Sequence, residues 1–198
     1  MSISRAASSQ LRPTWLIRDA DPDRDAAACV RIYAPAILES ATSFEEVLPS
    51  VEEFAGRIRK TTGAYPWLVL EDDRAVVGYA YASQHRARAA YRWAADVSVY
   101  VAESHRRAGV ARLLYTELFE RLRAQRFRIL CAGVTLPNEA SVGLHRAMGF
   151  EPVGVYKRIG YKMGAWRDVL WLELELEPAT DSPPAEPLPP ESGPAPES

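Results

Sequence analysis

In the stretch HRRAGVARLLYTELFERL, residues 105–122, Arg106 is followed after two residues by Gly109 and after one more by Ala111. Val110, Leu113, Leu114, Leu118 and Leu122 recur at helical spacing, so the stretch reads as the start of an amphipathic helix. A helix start presents backbone N–H groups without partners, and the macrodipole adds roughly half a positive charge there. Arg106 and Arg107 increase that charge instead of offsetting it. Gly109 and Ala111, with no side chain or only a methyl, let an anion come close to the backbone. The combination describes a phosphate cradle. A nucleotide-triphosphate loop needs Gly-x-x-x-x-Gly-Lys followed by Ser or Thr, and the dinucleotide fingerprint needs a third glycine; neither is present.

Other residues suit proton transfer and anion recognition. Asp96 interrupts the otherwise apolar strand AADVSVYV, where a carboxylate can act as a general base. His145 stands in the short helical segment EASVGLHRAM, where a lone histidine by itself is more often structural. Arg86, Arg88 and Arg92 fall within QHRARAAYRW, just before the strand of Asp96; guanidinium groups can grip anions in paired hydrogen bonds, although such a loop read by itself is a solvated surface. His85, His105 and His145 are scattered, so no metal site is expected. Hydrolase chemistry lacks its Gly-x-Ser-x-Gly elbow. Cys29 and Cys131 both lie in apolar settings and are expected to be reduced, buried thiols.

The elements that must position these groups alternate between the two periodicities. WLIRDA is a strand; Asp21 and Pro22 open a helix through DAAACVRIYAPAI. Ser50 and Glu53 have capping-box spacing ahead of FAGRIRK. YPWLVLEDDRAVVGYAYAS predicts a hairpin around Asp72, Asp73 and Arg74. RILCAGVTL is a continuous apolar strand, expected to be covered on both faces, and Asn138 caps the helix that follows, which ends at Gly149. In VLWLELEL, Leu170, Leu172, Leu174 and Leu176 point one way. The order is mixed α/β, with a strand, helix, strand unit in the middle.

A chain of 198 residues at 47% apolar composition supports one filled core. The expected division is a flexible extension over 1–14, one domain over 15–176 and a disordered tail over 177–198. That tail holds eight of the 15 prolines and no Lys or Arg. Because five of the 26 acidic residues lie in the tail, residues 1–176 carry 24 basic against 21 acidic groups, although the whole chain is at −2. A mildly basic body suits a small anionic ligand and gives no reason to expect nucleic acid. No segment is long and apolar enough for a signal peptide or a membrane span, so a cytoplasmic protein is expected, with no membrane partner.

Taken together, YPWLV (65–69), AYRWAADVSVYV (90–101), LPNEASVGLHRAMGF (136–150) and GYKMGAWRDV (160–169), with the Arg-x-x-Gly-x-Ala pattern, resemble the phosphinothricin N-acetyltransferases of the GNAT superfamily. The resemblance runs from about Leu16 to Leu176. It implies a GNAT fold, with a mostly antiparallel sheet and a splayed parallel strand pair. It also implies acetyl-CoA as donor without a metal, direct transfer to the free amine of a small amino acid-like substrate, and a homodimer.

Carried over residue by residue, the resemblance implies cofactor contacts from the backbone of Val99, Tyr100 and Val101, from Arg106, Arg107, Ala108, Gly109, Val110, Ala111 and Arg112, and from Asn138. Asp96 and His145 take the catalytic positions, and Phe44, Arg86, Arg88, Tyr91 and Ser98 those around the acceptor. Three positions depart from the family. Arg86 replaces a Lys, Ser98 a Thr, and Asp96 the usual Glu. The lost methylene retracts that carboxylate by about 1.5 Å. A bridging water or a pocket shifted toward another substrate would accommodate the change. Alternative expectations are an acetyltransferase for methionine sulfone, methionine sulfoximine or another amine, and a noncatalytic acetyl-CoA-binding module.

Overall fold

In a computed structural model of the chain, residues 14–178 and 182–190 are described. Strand β1 (Trp15–Asp19) leads into helices α1 (Pro22–Leu38) and α2 (Val51–Thr62), then β2 (Trp67–Asp72), β3 (Ala75–Gln84) and β4 (Ala94–Val101). Helix α3 (Val110–Ala124), β5 (Ile129–Leu136), α4 (Glu139–Ala147), β6 (Glu151–Lys162) and β7 (Ala165–Glu175) complete the order. The seven strands form one sheet, β1-β2-β3-β4-β5-β7-β6. Of its neighbouring pairs, β4–β5 alone is parallel.

That parallel pair is short. Its rungs run from Ala94↔Ile129 to Asp96↔Cys131 and stop, although β4 continues to Val101 and β5 to Leu136. Each arm is held from outside: β4 stays paired to β3 up to Val101↔Gly78, and β5 to β7 up to Leu136↔Asp168. The sheet therefore forks just beyond Asp96, as the resemblance implied.

Two apolar layers fix the sheet. On one face, α1 and α2 bury Cys29, Ile37, Phe54 and Ile58 against Trp67, Val69 and Tyr79. On the other, Leu114, Tyr115, Leu118 and Leu122 of α3 pack on Leu68, Leu70, Ala80 and Leu130. Gly78 lets α3 seat directly on β3: an added Cβ would lie 2.7 Å from Val110 Cγ1 and 3.2 Å from Leu114 Cδ1. The β2–β3 hairpin turns through Asp73 and Arg74, both at positive φ, as a two-residue hairpin with right-handed strand twist favours.

Several expectations need correction. Helix α3 begins at Val110, so residues 105–109 form the approach to it and Arg106 and Arg107 precede the first turn. Strand β5 is not covered on both faces; Leu130, Ala132 and Val134 are buried, whereas Cys131 is half-buried and Gly133 exposed. Cys29 is buried as expected. Strand β6 was not foreseen; nearly all of it is exposed, and Pro152, Gly154 and Gly160 interrupt any alternation.

The tail is tied down where it is described. Glu186 pairs with Arg92 through two bonds of 2.7 Å, Ala185 O accepts from Trp93 Nε1 at 2.9 Å, and the Leu188 N–H donates to Gln125 O at 2.9 Å. Residues 182–190 thus form an irregular strap across the bottom of β4 and the end of α3, where disorder was expected. The proposed extension over 1–14 lies outside the described residues except for Thr14, whose hydroxyl bonds Asp72.

Candidate active site

The mouth of the fork opens into a cavity of about 1090 Å³. All the expected cofactor residues except Ala108 line it, together with Ser98 and His145. Its floor is the N-terminus of α3. Gly109 caps that helix at φ +96°, in the left-handed region that favours glycine, and no atom lies within 4 Å of where a Cβ would stand. The first backbone bond closing the helix is Leu113 N–H to Gly109 O, which leaves the amides of Val110, Ala111 and Arg112 ahead of it. No side chain caps them. Asp21, Ser50 and Asn138, by contrast, cap α1, α2 and α4 with their own oxygens.

Arg107 also has positive φ, an uncommon conformation for a residue with a side chain. Arg106 pairs with Glu103 at 2.8 Å; among the described residues no carboxylate pairs with Arg107 or Arg112. His105 anchors the approach by a 3.2 Å contact to Asp72 at the hairpin. The residues present fit a diphosphate: bare amides, space above Gly109 and two cations without counterions.

Along β4 the expected amides divide by direction. Ala102 N–H bonds Val77 O, so strand alternation turns the Tyr100 amide toward β3 and those of Val99 and Val101 into the fork. Val99 and Val101 therefore have amides free for a ligand's carbonyl or amide groups. Tyr100 lines the cavity but spends its amide on the sheet.

Asp96 sits at the crotch of the fork, on the last parallel rung. Burial pushes its carboxyl above the ordinary 3.8, an effect opposed by a hydrogen bond from His85 and the nearby charge of Arg86. His85 Nδ1 lies 2.7 Å from Asp96 Oδ1. Cys131, opposite Asp96, places its sulfur with them; the three side-chain donor atoms lie within 4.8 Å of one another. Sequence spacing did not bring His85 and Cys131 into the site, because they join it only through strand register.

The residues expected around the acceptor gather on the sheet face of Asp96. Arg86 stacks over Trp171 at 5.7 Å, and Tyr91 meets the edge of His85 at 5.8 Å. Arg88 opens the exposed 3-10 turn Ala89–Tyr91. Arg92 is turned away, held by Glu186. Phe44 is carried by a loop that Lys162 fastens to β6, donating to Ser43 O at 2.6 Å and Glu45 O at 2.7 Å. Its ring lies over Gly160, where a Cβ would come within 2.4 Å.

His145 is brought into the cavity wall but not free. It is buried, its Nδ1 lies 2.8 Å from Ser141 O, and its Nε2 contacts the Tyr115 hydroxyl at 3.1 Å. The neutral ring then donates from Nδ1 and accepts at Nε2, in keeping with burial pushing its pKa below 6.5. Asn138 accepts from Ser141 N–H at 3.1 Å while facing the cavity, so cap and lining coexist.

A family model described as the acetyltransferase (GNAT) domain matches residues 19–171. The chain belongs to the GNAT acetyltransferase family. It is 40% identical over 156 residues to the phosphinothricin N-acetyltransferase of Alcaligenes faecalis, covering 78% of this chain and 79% of that one. To the L-methionine sulfoximine/L-methionine sulfone acetyltransferase of Pseudomonas aeruginosa it is 38% identical over 120 residues, 60% and 70% of the two chains. The fold superposes with a TM-score of 0.82 on the phosphinothricin acetyltransferase of Sinorhizobium meliloti in complex with AcCoA. That match has 37% identity and covers 87% of this chain and 94% of that chain. This GNAT enzyme is an acyltransferase with a forked mixed α/β sheet. No helix among its described residues is long and apolar enough to cross a membrane.

Proposed function

We propose that this acyltransferase moves the acetyl group of acetyl-CoA to the free amine of a small amino acid-like acceptor of the phosphinothricin type. The observation that carries the reading is the uncapped, cation-flanked start of α3 at the end of a fork whose crotch holds a carboxylate. The amides of Val110, Ala111 and Arg112 would take the diphosphate. Those of Val99 and Val101 face the place where a thioester arm entering the fork must pass. A preorganised amide aimed at the carbonyl oxygen stabilises charge as it develops there. Asp96 marks the basic end of the site, and Arg86 and Arg88 would meet the acceptor's anionic group. Phe44 and Tyr91 wall that side. His145, bonded at both nitrogens, locks α4 to α3 and is assigned no proton transfer.

Methionine sulfone and sulfoximine are the second reading, favoured by the similar identity to the Pseudomonas enzyme. A homodimer is supported by the β6–β7 hairpin, which exposes Val153, Tyr156, Ile159, Tyr161 and Trp166 at 50% or more each. Screening phosphinothricin, methionine sulfone, methionine sulfoximine and glutamate with acetyl-CoA while following thiol release tests the reading. Turnover with at least one of them is expected. Acetyl-CoA binding without release from any would leave a binding module and refute the proposed activity.

A further inference from the structure

His85 follows β3 by one residue, just beyond the rung Gln84↔Ala95, and folds back onto Asp96. The edges of Tyr91 at 5.8 Å and Trp171 at 6.0 Å hold its plane. Its side chain is 15% exposed against 30% for Asp96. With Nδ1 committed to the carboxylate, Nε2 has no hydrogen-bond partner among the described residues, and it is not sealed from solvent.

We propose that His85 Nε2 is the atom that takes the proton from the acceptor amine, and that Asp96 is a positioning residue holding the ring through Nδ1–H. This rests on the transferase reading and deepens it. An ionised carboxylate accepting from Nδ1 fixes the neutral tautomer whose lone pair is on Nε2, and it stabilises the imidazolium that forms. The ring also carries the basic atom away from the strand, farther than a short aspartate side chain extends. Arg86, close enough to favour the carboxylate, helps keep Asp96 ionised against its burial. Cys131 is a titratable neighbour as well, and burial pushes its thiol up to about 11, so it stands protonated and leaves the role of anion beside His85 to Asp96.

The step balances as follows. The acceptor enters as an ammonium ion, and His85 Nε2 takes one proton, leaving a lone pair on nitrogen. That pair forms the C–N bond at the thioester carbonyl carbon while the C=O π pair moves onto oxygen. When the carbonyl reforms, the C–S bond breaks and its electron pair leaves on sulfur. The second proton of the new N–H₂⁺ group passes to that thiolate, and the proton on His85 returns to solvent.

The test uses the full chain, His85→Ala, His85→Gln, Asp96→Asn and the His85→Ala/Asp96→Asn double variant. Each is assayed by thiol release with the acceptor found in the screen, in EDTA, with and without added imidazole. Acetyl-CoA titration calorimetry reports whether each variant is folded. Expected are a fall in kcat on the order of 100-fold for both His85 variants with acetyl-CoA binding retained, recovery of His85→Ala but not His85→Gln by imidazole, and a double variant no slower than His85→Ala. His85→Ala within threefold of wild type overturns the proposal, as does a loss that imidazole does not repair. Wild-type activity abolished by EDTA and restored by zinc overturns it too, making His85, Asp96 and Cys131 a metal site. A wild type that binds acetyl-CoA yet acetylates no amine refutes the transferase reading itself, and this inference with it.

Discussion

Helices α2 and α3 begin in opposite ways. At α2, Ser50 Oγ accepts from Glu53 N–H at 3.2 Å, Glu53 Oε2 accepts from Ser50 N–H at 2.7 Å, and two acidic residues sit in the first turn. At α3 the cap is a glycine without a side chain, the first turn has no acidic residue, and Arg106, Arg107 and Arg112 surround it. Both ends face the same electrostatic problem. The chain completes one internally, so that end serves stability; it leaves the other uncapped, the end that the proposed function gives to the diphosphate. Substitutions at the two ends should separate these roles.

The largest effect is expected for Gly109→Asp, which adds an internal carboxylate cap and puts a Cβ on a residue at φ +96°. Acetyl-CoA binding should weaken on the order of 100-fold, or about 2.7 kcal/mol, by calorimetry. An unchanged Kd would place the diphosphate elsewhere. Next comes Gly78→Ala, which forces Val110 and Leu114 off β3 and should cost about 1–3 kcal/mol in urea unfolding. It disturbs the seat of α3 rather than its amides, so stability should suffer more than affinity.

Ser50→Ala should cost about 1 kcal/mol of stability and leave acetyl-CoA affinity alone. The other half of the capping box, the Glu53 carboxylate, makes a contribution that depends on pH. The Ser50 backbone N–H holds the Glu53 carboxyl below the ordinary 4.5. A folded-state pKa below the unfolded one makes the contribution complete above about 4.5 and lost as pH falls through the lower, folded value. The gap between wild type and Glu53→Ala should therefore narrow at pH 3 relative to pH 7 in matched urea melts. The smallest effect is expected for Arg107→Ala, a few-fold loss of acetyl-CoA affinity at low salt that shrinks as salt rises.

The α3 end was legible in the sequence because its signal is local: a few residues, their spacing, and a strand and a helix on either side. The capping box of α2 was legible for the same reason. His85 was not, since its contact with Asp96 depends on how β3 and β4 pair, and the β3–β4 register is not written in any short window. Strand β6 escaped because an exposed strand at the sheet edge has no buried face to impose alternation, and Pro152 and Gly154 read as loop. The tail misled in the other direction. Its composition describes the average of the segment, whereas Glu186 and Leu188 dock through individual bonds to Arg92 and Gln125. His145 was drawn toward catalysis by resemblance, and both its nitrogens turn out to be occupied.

The bond from Glu186 to Arg92 has a practical corollary for anyone handling the protein. A fusion partner or purification handle attached at the carboxyl end pulls on a cord fastened six residues from Arg86, beside the face proposed for the acceptor. One attached at the amino end pulls on the outermost strand, four strands away from the fork's far arm. Kinetic comparisons between preparations are cleanest when the carboxyl end is left native.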